Sequence, residues 1–377
     1  MLEKSVPYYI QITRILRREI LENRYPTATR MPDEKTLAER FGVSKDVIRV
    51  SMRALADENL VKPIRSKGTF VCERRGGKGG RIMILSYHGA LHFEAIKNGV
   101  EQGIGDRKLD LMFSSTSSND LRAEKEILDH LKLNELSAVV AAPVTSMDGR
   151  DLDNAASYQA IVKSGVPLIL VDHWIDSVNT DLVAFDEYGS TKELCVRGIE
   201  AFGNSPMAFF LPRNSYLQNR ISLARIRAFD DILAEVSPDR IHAIDIQTSG
   251  DQLEAAALEM YEKFCQNAPE TKVFFFLNTT MAWAFYQKMR EAGREKQIEH
   301  LVATGDILRG DAEFNEKLFS NYRLFDGFTP AIREILNARL SGEAPVGHHY
   351  KKLLPFTFMD YGEAQHYFNA CLARLVR

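Results

Sequence analysis

The chain has 377 residues, 45% of them hydrophobic and 26% charged, with a formal net charge of −3. That is the balance of an ordinary globular protein too long for one core, so two or three domains are expected. No run of about 18 apolar residues occurs, which excludes an expected membrane span, and the scattered Cys72, Cys195, Cys265 and Cys371 suit reduced thiols better than disulfides or a zinc site.

The first apolar residues are interleaved with Lys4, Arg14 and Arg17, so no leader is expected and the cytoplasm is the expected compartment. Charge is unevenly spread: residues 1–75 hold 16 basic and 10 acidic residues, a net +6, and the remainder nets −9. A small basic module on a larger acidic body fits a nucleic-acid anchor joined to a sensor.

In chain order, Pro7 can open a helix, and Tyr9, Ile12, Leu16 and Ile20 recur at helical spacing to near Asn23. Pro32 and Asp33 start a second, short helix with Leu37, Ala38 and Phe41 inward, stopped by Gly42. Ser44 can cap a third helix to about Asn59 that buries Val47, Met52 and Leu55. Leu60 to Pro63 and Thr69 to Cys72 form two short strands around Ser66-Lys67-Gly68. Gly76-Gly77-Lys78-Gly79-Gly80 then breaks the composition and is predicted as a linker. Beyond it, apolar runs alternate with helical stretches at 82–85, 109–113, 138–142, 168–171, 208–211, 273–277 and 301–303. Such runs predict parallel sheets covered on both faces, and nearly 300 residues of them predict two lobes.

A helix-turn-helix needs a small residue where its helices touch, a turn residue tolerant of positive φ, and a branched apolar residue in the second helix. Ala38, Gly42 and Ile48 supply these. Lys45, Arg49 and Arg53 then share one face of the helix expected in the major groove. Arg49 can bond guanine bidentately, and Asp46 can accept from cytosine. These residues resemble the GntR family of bacterial regulators. The resemblance runs through Arg30–Ala38, Phe41–Ser44, Arg49, Leu60-Val61 and the wing Lys67–Val71. It implies DNA contacts from Lys35, Lys45, Arg49 and the wing at Lys67 and Gly68. Asp33 and Asp46 depart from the family pattern, where serine and a small or hydroxyl residue are usual, which bears on the operator sequence.

For the body, the strand order is similar to the effector domain of LacI-type regulators and their periplasmic sugar-binding relatives. The resemblance is carried by Pro167–Asp172, Val183–Gly189, Arg225 before Ala228-Phe229, Phe276–Ala282 and Ala303–Asp306. The combination resembles arabinose-repressor-like chimeras. In open α/β sheets ligands sit beyond the carboxyl ends of strands. Asp172, Asn278 and Asp306 follow apolar strands directly, and Arg225 could fork onto a diol or a charged group. After the first strand the family's Asn-Pro-Phe-like turn is replaced by Ser86–Phe93, where His88 and Phe93 could line the cleft. His88 and His92, four apart, lack a third partner in sequence, so no metal is expected. Asp186 is expected to cap a helix.

The expected architecture is α/β: a winged helix-turn-helix at 1–75, a glycine linker at 76–80, and a two-lobed periplasmic-binding-protein-like body with parallel sheets at 81–377. The expected function is a dimeric repressor on a palindromic operator, released or engaged by a small molecule, most simply a monosaccharide, with no catalysis and no cofactor. A fused coenzyme-dependent, aminotransferase-like domain is the alternative of similar length, although no Schiff-base lysine context, GxxxxGK[ST], post-strand GxGxxG or HExxH occurs.

Overall fold

The computed structural model describes residues 7–375 apart from 22–23, 27–28, 58–59, 72–79, 88, 116–119, 145–153, 214–219, 237–240, 249–251, 306–309 and 345–346. The N-terminal module consists of α1 (Tyr8–Leu21), α2 (Glu34–Phe41), α3 (Lys45–Asp57) and the antiparallel pair β1 (Val61–Ile64) and β2 (Gly68–Val71). Ile12, Leu16, Leu37, Ile48 and Leu55 are fully buried in its core. Tyr9, placed on the inward stripe from sequence, is 41% exposed. Its backbone carbonyl accepts from Ser51 Oγ, so α1 docks on α3 there through a polar contact.

The body begins with β3 (Arg81–Leu85), α4 (Ala90–Ile104), β4 (Asp110–Ser114), α5 (Leu121–Asp129), β5 (Leu136–Ala141), α6 (Ala155–Ser164), β6 (Leu168–Val171) and β7 (Asp181–Phe185). It crosses to a second lobe of α7 (Glu187–Phe202), β8 (Met207–Pro212), α8 (Arg220–Glu235), β9 (Ile241–Ile246), α9 (Leu253–Asn267), β10 (Val273–Phe276), α10 (Thr279–Glu291), β11 (His300–Gly305), α11 (Ala312–Lys317) and β12 (Leu318–Tyr322). It returns for α12 (Phe328–Ser341) and β13 (Lys351–Leu354), then crosses again to β14 (Thr357–Phe358) and ends in α13 (Tyr361–Leu375). The first sheet has order β13-β7-β6-β5-β3-β4 and is parallel throughout. The second has order β14-β12-β11-β10-β8-β9, with only β14 antiparallel.

The continuous apolar runs follow from burial on both faces. In β3, Ile82 and Ile84 enter the core beneath α4 and α12, while Met83 and Leu85 enter the one on the opposite face. The α4–α12 packing needs missing side chains: a Cβ on Gly99 would lie 2.9 Å from Ile332 Cβ, and one on Gly103 would lie 3.1 Å from Leu336 Cβ. The second lobe is filled by phenylalanines, Phe209 stacking on Phe275 at 4.1 Å and Phe274 tilting against Phe285 at 5.0 Å. β7, β9, β12, β13 and β14 were not among the predicted runs; β9 and β13 are edge strands whose alternating exposure breaks the apolar run. The proposed linker lies outside the described residues, except for Gly80.

Three crossovers join the lobes, after Phe185, after Tyr322 and after Leu354. They are tied together: Asp186 N donates to Leu354 O at 2.8 Å and Phe356 N donates to Ser190 Oγ at 3.0 Å. Phe185 packs edge-on against both Phe325 and Phe356. The last helix, α13, packs Ala364 and Phe368 against Tyr322, with Leu91 of α4 at its margin.

Candidate DNA-reading face and interlobe cleft

The helix-turn-helix is set by its turn. Gly42 takes φ 65°, a left-handed conformation that costs glycine little, and its N–H bonds Ala38 O to end α2. Asp33 caps the other end, accepting from Thr36 N at 2.8 Å. The acidic departure from the family pattern is therefore a helix cap. Ser44 Oγ accepts from Val47 N at 3.5 Å as α3 starts.

Lys35, Lys45, Asp46, Arg49, Arg53 and Lys67 are all exposed, and Gly68 is half-buried behind the wing turn. Their proximity has a consequence that sequence reasoning missed. Arg49 donates from one terminal nitrogen to Asp46 Oδ1 at 2.9 Å and from the other to Glu34 Oε2 at 2.9 Å. Its hydrogen bond to Glu34, then both carboxylate charges, raise its pKa further. Asp46, expected to meet cytosine, is bonded to Arg49 here, and Glu34 on α2, not foreseen, joins the candidate face. Arg30 also lies on this side, its guanidinium against Gly68 of the wing.

At the interlobe cleft the carboxyl ends of the strands bring a buried ionic cluster together. Asp172 follows β6 with φ 66°, a strained conformation of the kind that clusters at functional sites, and its N–H is fixed by Val183 O at 2.8 Å. One of its oxygens accepts from Arg323, just past β12, and the other lies 3.4 Å from His92 Nε2. Arg323 also lies 3.5 Å from Glu187 Oε1, at the first turn of α7, and stands over the Phe185 ring at 4.7 Å. Glu187 Oε2 accepts from Arg225 Nε at 2.7 Å, and Arg225 NH1 donates to Leu277 O at 2.9 Å. Burial alone would raise the Asp172 carboxyl, but the Arg323 charge and the His92 bond hold it well below the usual carboxylate range. Next to it, burial pushes the His173 imidazole down to about 4, against the upward pull of Asp172.

Of the residues expected at the cleft, Asp172 and Arg225 are brought into one cluster. Each is only 3% exposed, and Arg225 is not a surface ion pair. Asn278 caps α10, its Oδ1 accepting from Met281 N at 2.9 Å. Asp186 caps α7 as expected, accepting from Gly189 N at 2.9 Å. Phe93 packs edge-on against Phe113 at 5.6 Å, and it is the neighbouring His92 that reaches Asp172. His88 and Asp306 lie outside the described residues. Arg323, Glu187 and His92 were missed: their partners stand far away in sequence, and no local motif marks them. Arg220, opening α8 of the second lobe, reaches the first lobe at Asp176 Oδ2 (2.9 Å) and Trp174 O (3.1 Å). Among the described residues, no three His, Cys, Asp or Glu side chains group as a metal site.

These two features define a class: a helix-turn-helix module joined to a two-lobed, hinged α/β body. Residues 8–71 match the model of "Bacterial regulatory proteins, gntR family", so the N-terminal module is a gntR-type helix-turn-helix domain. The body has the fold of periplasmic-type binding proteins. It superposes on a sugar ABC transporter sugar-binding protein from Bacillus halodurans (TM-score 0.60, 11% identity, 76% of this chain and 99% of that one). It also superposes on transcription regulator CcpA of Lactococcus lactis (TM-score 0.51, 14% identity, 75% and 98%). An aminotransferase-like body, the alternative that length left open, is not supported. By sequence the chain is similar to the arabinose metabolism transcriptional repressor of Geobacillus stearothermophilus, 24% identical over 191 residues, 50% of this chain and 52% of that protein. A shorter match, 32% over 69 residues (18% of this chain, 29% of that one), is to the mannosyl-D-glycerate transport/metabolism system repressor MngR of Escherichia coli. The chain thus spans about half the length of the arabinose repressor it matches. No helix among the described residues is long and apolar enough to cross a membrane.

Proposed function

We propose that this chain is a cytoplasmic transcriptional repressor. As a homodimer it would bind a two-fold related operator through Lys35, Lys45, Arg49, Arg53 and the wing at Lys67-Gly68, and it would answer to a neutral monosaccharide bound between the lobes. The observation that carries the effector reading is the charge balance among the described residues at the strand ends: two buried carboxylates, Asp172 and Glu187, face two buried guanidiniums, Arg225 and Arg323. An anionic ligand would have to break a balanced set, whereas hydroxyls can exchange hydrogen bonds with it without adding charge. His173, held neutral, adds a donor or acceptor and no cation. Asp306 and the amide of Asn278 would complete the contacts after β11 and β10. The names of the relatives, repressors of arabinose and mannosyl-D-glycerate metabolism, support a repressor of sugar use.

Calorimetry of the full chain against a panel of pentoses, hexoses and their phosphates, with mobility shifts on operator DNA, tests this. Asp306→Ala should lose sugar binding, because unpaired hydroxyls cost about 1–3 kcal/mol each, while keeping operator binding. Preference for a sugar phosphate would overturn the neutral-ligand reading, and equal sugar affinity without the Asp306 carboxylate would remove that residue from the site.

A further inference from the structure

Behind the hinge, α4, the second crossover, the start of α12 and α13 line a half-open cavity of about 310 Å³. One ring lies between it and the cleft: Phe325 lines the cavity and also meets Phe185 and Phe328, His92 at 5.4 Å and the Arg323 guanidinium at 5.8 Å. Three aromatic side chains line it, Phe325 from the crossover and Tyr367 and Phe368 from α13. The last two pack edge-on at 5.2 Å. Two carboxylates, Glu94 and Asp326, share the lining, and no lysine, arginine or histidine among the described residues does. Lys97 lies 3.4 Å from Glu94 but is not part of the lining, and Asp326 is exposed.

Aromatic faces attract cations through their quadrupoles, and the attraction grows when water is excluded. Carboxylates beside those faces add Coulomb attraction and repel anions. We propose that this cavity is a second small-molecule site, specific for an organic cation, an alkylated ammonium or amine with a compact apolar body. Its size is at the lower end of ordinary ligand pockets. The two sites differ in kind: the cleft sets carboxylates against guanidiniums, whereas here aromatic rings stand beside the exposed Asp326 and beside Glu94, which Lys97 pairs from outside the lining. The cavity depends on α13, which supplies two of its three aromatic side chains.

Cys371, a half-exposed thiol outside any disulfide, lines the same cavity and reports on it. In the full-length protein, benzyltrimethylammonium should protect Cys371 from methyl methanethiosulfonate saturably, slowing labelling about tenfold. Cys265, half-exposed and remote in the second-lobe core margin, serves as the internal control and should label at an unchanged rate. Benzenesulfonate should not protect. The Glu94→Gln, Asp326→Asn double variant should lose the protection while labelling normally without ligand, and Asn98→Trp, filling the cavity from its rim, should abolish it. Protection by the sulfonate equal to that by the ammonium, no protection by either, or protection that survives both variants would overturn the proposal.

Discussion

At the scale of single residues, the molecule repeatedly holds a functional side chain with a partner distant in sequence. Arg49 is held by Glu34 and Asp46; under the proposed function this orients the guanidinium before DNA arrives and leaves its remaining N–H groups for a base. Arg49→Ala should weaken operator binding by about 1–3 kcal/mol and relax one base position, measurable by titrating single-substitution operators. Unchanged selectivity would take Arg49 out of the readout. The neutral His173 gives a pH signature. Its folded value of about 4 lies below the ordinary 6.5, so between those limits the unfolded chain binds more protons and stability falls as pH drops. From this residue alone we expect the unfolding free energy to fall by roughly 2 kcal/mol between pH 7 and 4.5. His300 and His349, also lowered by burial, act in the same direction. Urea titrations of His173→Gln should show a shallower dependence, and an unaltered slope would deny that the buried imidazole is linked to folding. Asp172 acts in the same direction over a lower range: its ionised form is favoured by the fold, and that contribution, full above the ordinary carboxylate value, is lost as pH falls through its depressed value.

Elements are joined by close approach as much as by apolar area. α4 lies against α12 because Gly99 and Gly103 present no side chain where Ile332 and Leu336 press in. Valine at Gly99 would place a carbon 2.9 Å from Ile332 Cβ and 3.0 Å from Thr329 O, and the second neighbour is backbone that cannot turn away. Gly99→Val should therefore cost about 1–3 kcal/mol or more by overpacking. Chemical denaturation should show it, and adding Ile332→Ala should recover only the part owed to that side chain. Full stability of Gly99→Val would mean that α4 can shift outward freely, contrary to its burial between sheet and α12.

For the whole molecule, the distribution of charge and the three crossovers matter most. The +6 of residues 1–75 beside the −9 of the rest should confine DNA to the N-terminal module and give operator affinity a log–log salt slope of several units. Arg220 spans the lobes to Asp176 and Trp174, while Arg323 lies between Asp172 of one lobe and Glu187 of the other. Any ligand that changes these contacts changes the lobe angle by its differential affinity for the two arrangements. Because both lobes carry complete cores, residues 81–377 should fold without the N-terminal module. Under the dimer proposal they should sediment as a dimer; a folded monomer at micromolar concentration would move the dimer contact into the first 75 residues.

Local chemistry let the sequence by itself determine the helix-turn-helix and most of the central strands. Gly42 must end α2, apolar residues three or four apart mark α1 and α3, and strands covered on both faces become unbroken apolar runs such as 82–85, 168–171 and 273–276. Asp172 was visible as a carboxylate at a strand end. What only the tertiary structure decided is which groups meet. Arg323 reaches Asp172 across 151 positions, and Arg225 reaches Glu187 across 38. Edge strands such as β9 and β13 depend on neighbours for burial, so their sequences carry no continuous apolar signal. The reason is common to all three cases. Propensity and periodicity act over one or two turns of chain, whereas ion pairs and edge pairings depend on distances that only the three crossovers fix.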